Sequence, residues 1–282
     1  MKVIERKGFY YLGYSFRKLG KVCYKEKYLG KNIPENIEEI KKHFLSECLK
    51  EEVFFKLKKI KGNYSKEWKK YPESVKKKIL LDTAISFTYN TNAIEGSTIT
   101  LDETEDLIKR KISPHKPLSD VQETVNHVNT FFSIINEKKK LSLEMLLDWH
   151  KMLFSQTKPD IAGILRNYGV RVGDYKAPDW QDVDQLMKDL LVWYEKKHTL
   201  MHPIEFAGRA HYIFEKIHPF GDGNGRLGRL LIAFILYQNG FPLIIIEYKN
   251  RKSYYSALQK DENGFLLYFI KRYIKQFKQY SA

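Results

Sequence analysis

Apolar residues along the chain fall mostly into a helical rhythm. Phe206, Ala210, Ile213, Phe214 and Ile217 recur at steps of three and four behind Pro203, a residue suited to a first helical position, and predict a helix ending near Ile217. The unbroken run Leu230 to Tyr237, closed by the C-cap pair Asn239-Gly240, predicts a second helix that opens at Gly223 to Gly225. The same rhythm places helices at residues 37–48, 74–91, 121–136, 142–154, 180–197 and 265–277. Two starts carry their own chemistry. Asn32-Ile33-Pro34-Glu35 offers a capping side chain, a proline for the first turn and an acid, and residues 101–106 crowd acids where the helix dipole is positive.

Strand patterns are confined to two places. Two aromatic-rich stretches, 9–16 and 22–30, flank a basic turn at 17–21, and Val170 and Val172 alternate ahead of Gly173-Asp174, a pair that suits a tight hairpin. The expected fold is therefore mainly α, a helical bundle with a short β-hairpin near residue 172 and a small N-terminal β-hairpin.

Charge divides the chain further. Of the 282 residues and the formal net charge of +15, residues 1–80 hold 22 Lys and Arg against 10 Asp and Glu, and the remainder 27 against 24. A basic region, 1–79, is thus set apart from residues 80–282. Aromatics interleaved with cations there could stack bases and neutralise phosphates, so nucleic acid is a candidate partner for residues 1–80. The apolar runs fall well short of the roughly 20 residues of a membrane span, and the N-terminus lacks the apolar core of a signal peptide. Cys23 and Cys48 make neither a metal set nor a disulfide framework, which suits a reducing compartment. A soluble, cytoplasmic protein without a membrane partner is expected.

The chemistry concentrates in His218-Pro219-Phe220-Gly221-Asp222-Gly223-Asn224-Gly225-Arg226-Leu227-Gly228-Arg229. Free N–H groups at a helix start carry the positive end of the dipole, and Gly223 and Gly225 let phosphate oxygens come close to them. Arg226 and Arg229 share a face of the first turns, a poor place for cations unless something negative compensates. Asp222 suits Mg²⁺ shared with phosphates, and His218 can take a proton from an attacking hydroxyl. Together they imply phosphoryl or nucleotidyl transfer. Gly223, Gly225 and Gly228 also satisfy Gly-x-Gly-x-x-Gly, with Glu247 near the distance of a ribose-binding acid, but helix and loop precede them where a dinucleotide fold needs a buried strand. Neither a P-loop nor a His-Glu-x-x-His motif occurs.

With these residues the chain resembles the Fic (filamentation induced by cAMP) domain family, whose signature His-x-Phe-x-Asp/Glu-Gly-Asn-Gly-Arg-x-x-Arg is met without departure from His218 to Arg229. The resemblance runs from about Leu80 to the end and implies a Fic-type helical bundle, a catalytic domain at 80–282, and a protein adenylyltransferase that moves AMP from ATP to a Ser, Thr or Tyr hydroxyl. It implies His218 as general base, Asp222 as Mg²⁺ ligand, Phe220 as anchor of the loop, Gly223, Asn224, Gly225 and Arg226 as the hole for the α- and β-phosphates, and Arg229 on the γ-phosphate. Thr91-Asn92-Ala93-Ile94-Glu95-Gly96 is similar to the family's inhibitory motif, Ser/Thr-x-x-x-Glu-Gly/Asn, whose glutamate pairs with the second arginine of the signature. Thr91, Glu95 and Gly96 would then form an off-switch, because a guanidinium occupied by Glu95 cannot clamp the γ-phosphate. The hairpin stands where the family's target-docking flap sits, so Val170, Arg171 and Val172 would hold the target's backbone by strand addition. Asn250 and Tyr254 fall in a stretch resembling the family's adenosine pocket.

The leading expectation is an autoinhibited nucleotidyltransferase acting on a target protein, with ATP as substrate, Mg²⁺ as cofactor, and a homodimer compatible with it. Two alternatives stand beside it: removal of AMP from a modified target, with Glu95 orienting a water, and a nucleic-acid-associated regulator directed by the basic N-terminal region.

Overall fold

The computed structural model describes residues 1–18 and 21–281. They form two compact units, Met1–Asn63 with Ile274–Ala282, and Tyr64–Tyr273.

The first unit opens with an antiparallel sheet of β1 (Lys2–Arg6), β2 (Phe9–Lys18) and β3 (Lys21–Gly30), in that order. The two strands expected from aromatic alternation are β2 and β3. Residues 19 and 20 of the basic turn expected between them lie outside the described residues. The additional strand, β1, is joined through Lys7 and Gly8, both at positive φ, 52° and 76°, a turn whose twist matches that of the flanking strands. A lysine at positive φ is no turn signal, which is why β1 is not legible. Leu12 and Phe16 on one face of β2 are buried with Phe44 and Cys48 of α1 (Ile37–Glu52). In α2 (Phe54–Lys70) only Leu57 and Ile60 are buried among many lysines, too sparse a stripe to predict the helix.

The second unit contains α3 (Glu73–Ile94), α4 (Leu101–Glu105) continued by a π-helical turn Asp106–Arg110, α5 (Leu118–Asn136) and α6 (Leu143–Phe154). A hairpin follows, β4 (Arg171–Val172) with β5 (Tyr175–Lys176). Then come a 3-10 turn, Trp180–Asp182, leading into α7 (Val183–Lys197), α8 (Pro203–Ile217), α9 (Asn224–Gln238), a second 3-10 turn, Tyr248–Asn250, leading into α10 (Arg251–Leu258), and α11 (Glu262–Gln276). Two of the expected helix starts are held by capping: Ser142 Oγ accepts from Met145 N, and Thr100 with Glu103 forms a reciprocal capping box ahead of α4. The start expected at Asn32 to Glu35 falls later, α1 opening after Asn36 with no side-chain cap bond. From Asn224 to Leu236 every residue of α9 but Gly225 is buried, against α8, α3, α5 and α6. A helix apolar on all sides belongs at the centre of a bundle, and its N-terminus opens the site. Among the described residues no helix is long and apolar enough to cross a membrane.

Candidate active site

The histidine of the signature stands where α8 stops. His218 takes the left-handed conformation, φ 51°, which costs a non-glycine residue about 1–2 kcal/mol. Its amide donates to Phe214 O at 3.0 Å and its carbonyl accepts from Arg166 Nε at 2.7 Å, so the conformation is held from both sides. Nδ1 faces the Glu215 carbonyl at 3.4 Å and can only donate there, leaving the lone pair on Nε2. Burial keeps its pKa below the ordinary histidine value, against the opposing effect of that hydrogen bond. The imidazole is a neutral base.

The loop after it is pinned by one amide. Asn224 Nδ2 donates to Phe220 O at 2.8 Å while Asn224 Oδ1 accepts from Phe220 N at 2.9 Å. The fully buried Phe220 ring stacks on His150 at 3.9 Å between centroids. Because His150 Nδ1 accepts from Gly163 N, its Nε2 carries the proton and donates to Asp222 O at 3.0 Å. Gly223 caps α9 at φ 76°, and a Cβ there would lie 2.3 Å from the Phe154 ring. Conformation and contact both demand glycine.

At the start of α9 the compensation expected for two arginines comes from within the chain. Arg226 forms an ion pair with Glu123 of α5, sits 4.4 Å from the Phe154 ring centroid and lies 3.4 Å from Asp222. Asp222 also accepts from Lys158 Nζ and from Gly223 N, each at 2.5 Å. Burial alone would raise the Asp222 pKa, but Arg226 and Lys158 outweigh it and hold the carboxyl ionised below its ordinary value.

Arg229, buried to 2% exposure, donates to Glu95 Oε1 at 2.5 Å and to Thr91 O at 3.2 Å. Glu95 caps the C-terminus of α3, and Gly96 turns the chain away at φ 99°. A Cβ on Gly225 would come within 2.2 Å of Glu95 Oε1. A carboxylate therefore lies against the N-terminus of α9, in the place where the sequence puts an anion.

Two cavities meet at Glu95. One of about 320 Å³ is lined by His218, Gly225, Arg229, Tyr254, Tyr255 and Leu258, with Val172, Gly173 and Tyr175 of the hairpin. The other, about 240 Å³, is polar and lined by Asp120, Glu123, Lys158, Asp222 and Arg226. Val172 is exposed at the rim, and the hairpin is tied down by Tyr175, whose hydroxyl donates to Lys216 O at 2.6 Å. Tyr254 is in the site. Asn250 is outside both linings, its amide engaged by Glu247 and Arg272.

Five further residues belong to the site. Arg166 donates to the carbonyls of His218, Tyr168 and Pro178, joining the hairpin's base to the signature loop. His150, Lys158 and Glu123 support Asp222 and Arg226, and nothing in their local sequence distinguishes them. Glu215 did leave a signal, since His211, Glu215 and His218 recur at helical spacing inside an otherwise apolar face of α8. Among the described residues no three His, Cys, Asp or Glu side chains are grouped to hold a metal alone. A carboxylate facing open polar space suits Mg²⁺ that takes its remaining ligands from phosphate and water, and Asp222, in the polar cavity with Asp120 and Glu123, could serve once Lys158 yields.

Residues 140–236 match the Fic/DOC family model. The protein adenylyltransferase Fic of Nematostella vectensis is 32% identical over 203 residues, which cover 69% of this chain and 47% of that protein. The chain thus spans about half the length of the curated relative. A Fic domain containing signalling protein from Bacteroides thetaiotaomicron shares the fold, with a TM-score of 0.71 at 23% identity over 80% of this chain and 96% of that one. A Fic family protein from Desulfovibrio desulfuricans superposes with a TM-score of 0.65 at 27% identity, over 79% and 73%. This chain is a Fic-domain protein of the Fic/DOC family.

Proposed function

We propose that the protein is an adenylyltransferase that transfers AMP from ATP to a hydroxyl of a target protein and that Glu95 holds it inactive. The observation that carries this reading is the Glu95 carboxylate lying on Arg229 at the N-terminus of α9. His218 Nε2 takes the proton of the target hydroxyl, the oxygen bonds to the α-phosphorus, and the bond to pyrophosphate breaks in line. The backbone of Gly223 to Arg226 receives the phosphates, Asn224 fixes the loop, and Arg226 and Arg229 meet the developing charge once their carboxylate partners yield. Asp222 would hold Mg²⁺ shared with phosphate oxygens, which supplies counter-charge to the leaving group. Val170, Arg171 and Val172 present an open strand edge for the target's backbone. Tyr254 and Tyr255 offer the adenosine side of the cavity, whereas the position of Asn250 does not favour a direct contact.

Glu95→Gly protein incubated with a cell extract and ATP labelled in the α-phosphate should label protein strongly, parent protein weakly, and Glu95→Gly/His218→Ala not at all. Labelling by the parent that equals that of the Glu95→Gly protein would refute inhibition. The reverse reaction is also compatible with Glu95 sharing a cavity with His218. Loss of AMP from labelled target on adding parent protein, and not the Glu95→Gly protein, would identify it.

A further inference from the structure

One carboxyl group in the cavity has no part in that reaction. Glu215, on α8 one turn before His218, lines the 320 Å³ cavity, with 11% of its side chain exposed. Its Oε1 is buried and makes no hydrogen bond among the described residues. It lies 2.8 Å from where a Cβ on Gly228 would stand, pressed on α9 one turn in from the anion site. His211 Nε2 is 3.8 Å from it and bonds instead to Tyr254 Oη at 2.8 Å, and that hydroxyl is 3.5 Å from Arg229 Nη1. The charged and titratable groups around Glu215 are Arg229 on α9, Glu95 at the end of α3, Lys216 and His211 on α8, and Tyr254 and Tyr255 on α10. Burial, against the lowering effect of Arg229, pushes the Glu215 pKa up to about 7. Burial holds His211 neutral, its pKa down to about 3, so it supplies no counter-charge.

Two carboxyl groups thus act on one guanidinium, Glu95 by contact and Glu215 through space. We propose that Glu215 is a second brake on nucleotide binding: charged, it opposes a triphosphate at Arg229, and protonated, it admits one, so this side chain makes the pocket discriminate triphosphate from monophosphate. A terminal phosphate brings negative charge to Arg229 in a cavity where water screens little, and a fixed carboxylate beside it subtracts from the attraction. A monophosphate brings no terminal phosphate to that arginine. The proposal rests on the nucleotide-transfer reading.

Calorimetric binding of ATP and of AMP to Glu95→Gly and to Glu95→Gly/Glu215→Gln, at about pH 6 and about pH 8, tests it. Titration of His218 and of the phosphates is common to both proteins, so the difference between proteins is the readout. At the lower pH the two should differ less in ATP affinity, although without the Glu95 charge, which otherwise raises the Glu215 pKa, the change moves to lower pH. At the higher pH the protein retaining Glu215 should bind ATP about 10-fold more weakly, with AMP changed less than about 2-fold. Equal ATP affinities at both pH values, or a double variant weaker at both, overturns the brake. Should the glutamine variant lose its native circular dichroism, Glu215→Leu carries the same expectations. If neither protein binds either nucleotide at any pH, the nucleotide-transfer reading itself falls.

Discussion

Removing the charge of Glu95 should destabilise the protein and make it respond to ATP. In Glu95→Gln the buried Arg229 loses its carboxylate partner. Breaking a buried pair costs about 3–5 kcal/mol, but Glu95 is 29% exposed and Arg229 keeps the Thr91 carbonyl, the Tyr254 hydroxyl and the nearby Glu215. Partial solvation and these remaining partners reduce the loss to about 1–2 kcal/mol. For a unit of this size that lowers Tm by about 2–8 °C. ATP at about 100 times its Kd returns about 2.7 kcal/mol to any protein that binds it. The parent must first release Glu95 from Arg229, which weakens its apparent affinity by roughly the same 1–2 kcal/mol, about 10-fold.

Tryptophan fluorescence isolates the relevant transition, because Trp68, Trp149, Trp180 and Trp193, all four in the chain, lie within Tyr64–Tyr273. Without nucleotide the Glu95→Gln protein should melt below the parent. With ATP and Mg²⁺ its Tm should rise by about 5 °C or more, overtaking the parent's smaller response at the same concentration. Identical ATP shifts in both proteins would refute the reasoning, since Glu95 would then not compete with phosphate for Arg229.

Asn224→Ala leaves the buried N–H and C=O of Phe220 without partners and should cost about 2–4 kcal/mol, seen as a lower urea midpoint, with transfer falling at least about 100-fold as His218 and the anion hole lose their spacing. Gly223→Ala combines a positive φ with overlap on Phe154 and should lose about 2–4 kcal/mol, measured in the same titration. Arg166→Lys keeps a cation but cannot reach three carbonyls, so residues 171–176 should become the first site of limited proteolysis while the Tm of the unit moves by no more than about 4 °C. Stability should also fall in mild acid. His150 and His211 are neutral in the fold, with pKa values lowered by burial to about 4 and about 3. The unfolded chain therefore binds protons first as pH drops below about 6.5, and stability is lost from there down to about 4, by roughly 3 kcal/mol for His150 alone. Glu215 works in the opposite sense, being protonated in the fold up to about 7, and offsets part of this loss between its unfolded value and there. A urea midpoint that stays flat across this range would count against both histidine assignments.

The helices were legible where apolar periodicity and caps agreed, as in α6 behind Ser142 and α8 behind Pro203. They were not where burial is one-sided and sparse, as in α2, or where a strand hangs on Lys7 at positive φ. The need for negative charge at the start of α9 was legible for the same kind of reason, since two arginines in a first turn conflict with the dipole and demand something negative, which Glu123 and Glu95 supply. What no local pattern could supply was the identity of the partners. Glu123 is 103 residues from Arg226 and Glu95 is 134 from Arg229 in sequence. Only the resemblance to the inhibitory motif pointed at one of them, and Glu123 looks like any acid on an amphipathic helix.

The arrangement of these two acids follows from the site's own electrostatics. A helix N-terminus stripped of side chains at Gly223 and Gly225, with two arginines beside it, attracts any anion of the right size. Left empty, it would leave two nearly dry guanidinium groups short of counter-charge, with Asp222 beside Arg226 and Glu215 near Arg229, a cost of about 1–2 kcal/mol or more. A carboxylate from a neighbouring helix is the least costly stand-in for phosphate, because it has the same charge sign and a similar fork for the guanidinium. On the proposed reading, inhibition by Glu95 and the stability of the apo fold are one interaction. Any variant that frees Arg229 should gain nucleotide affinity in proportion to the stability it loses without nucleotide, and a series at position 95 that broke this proportionality would show the two roles to be separable.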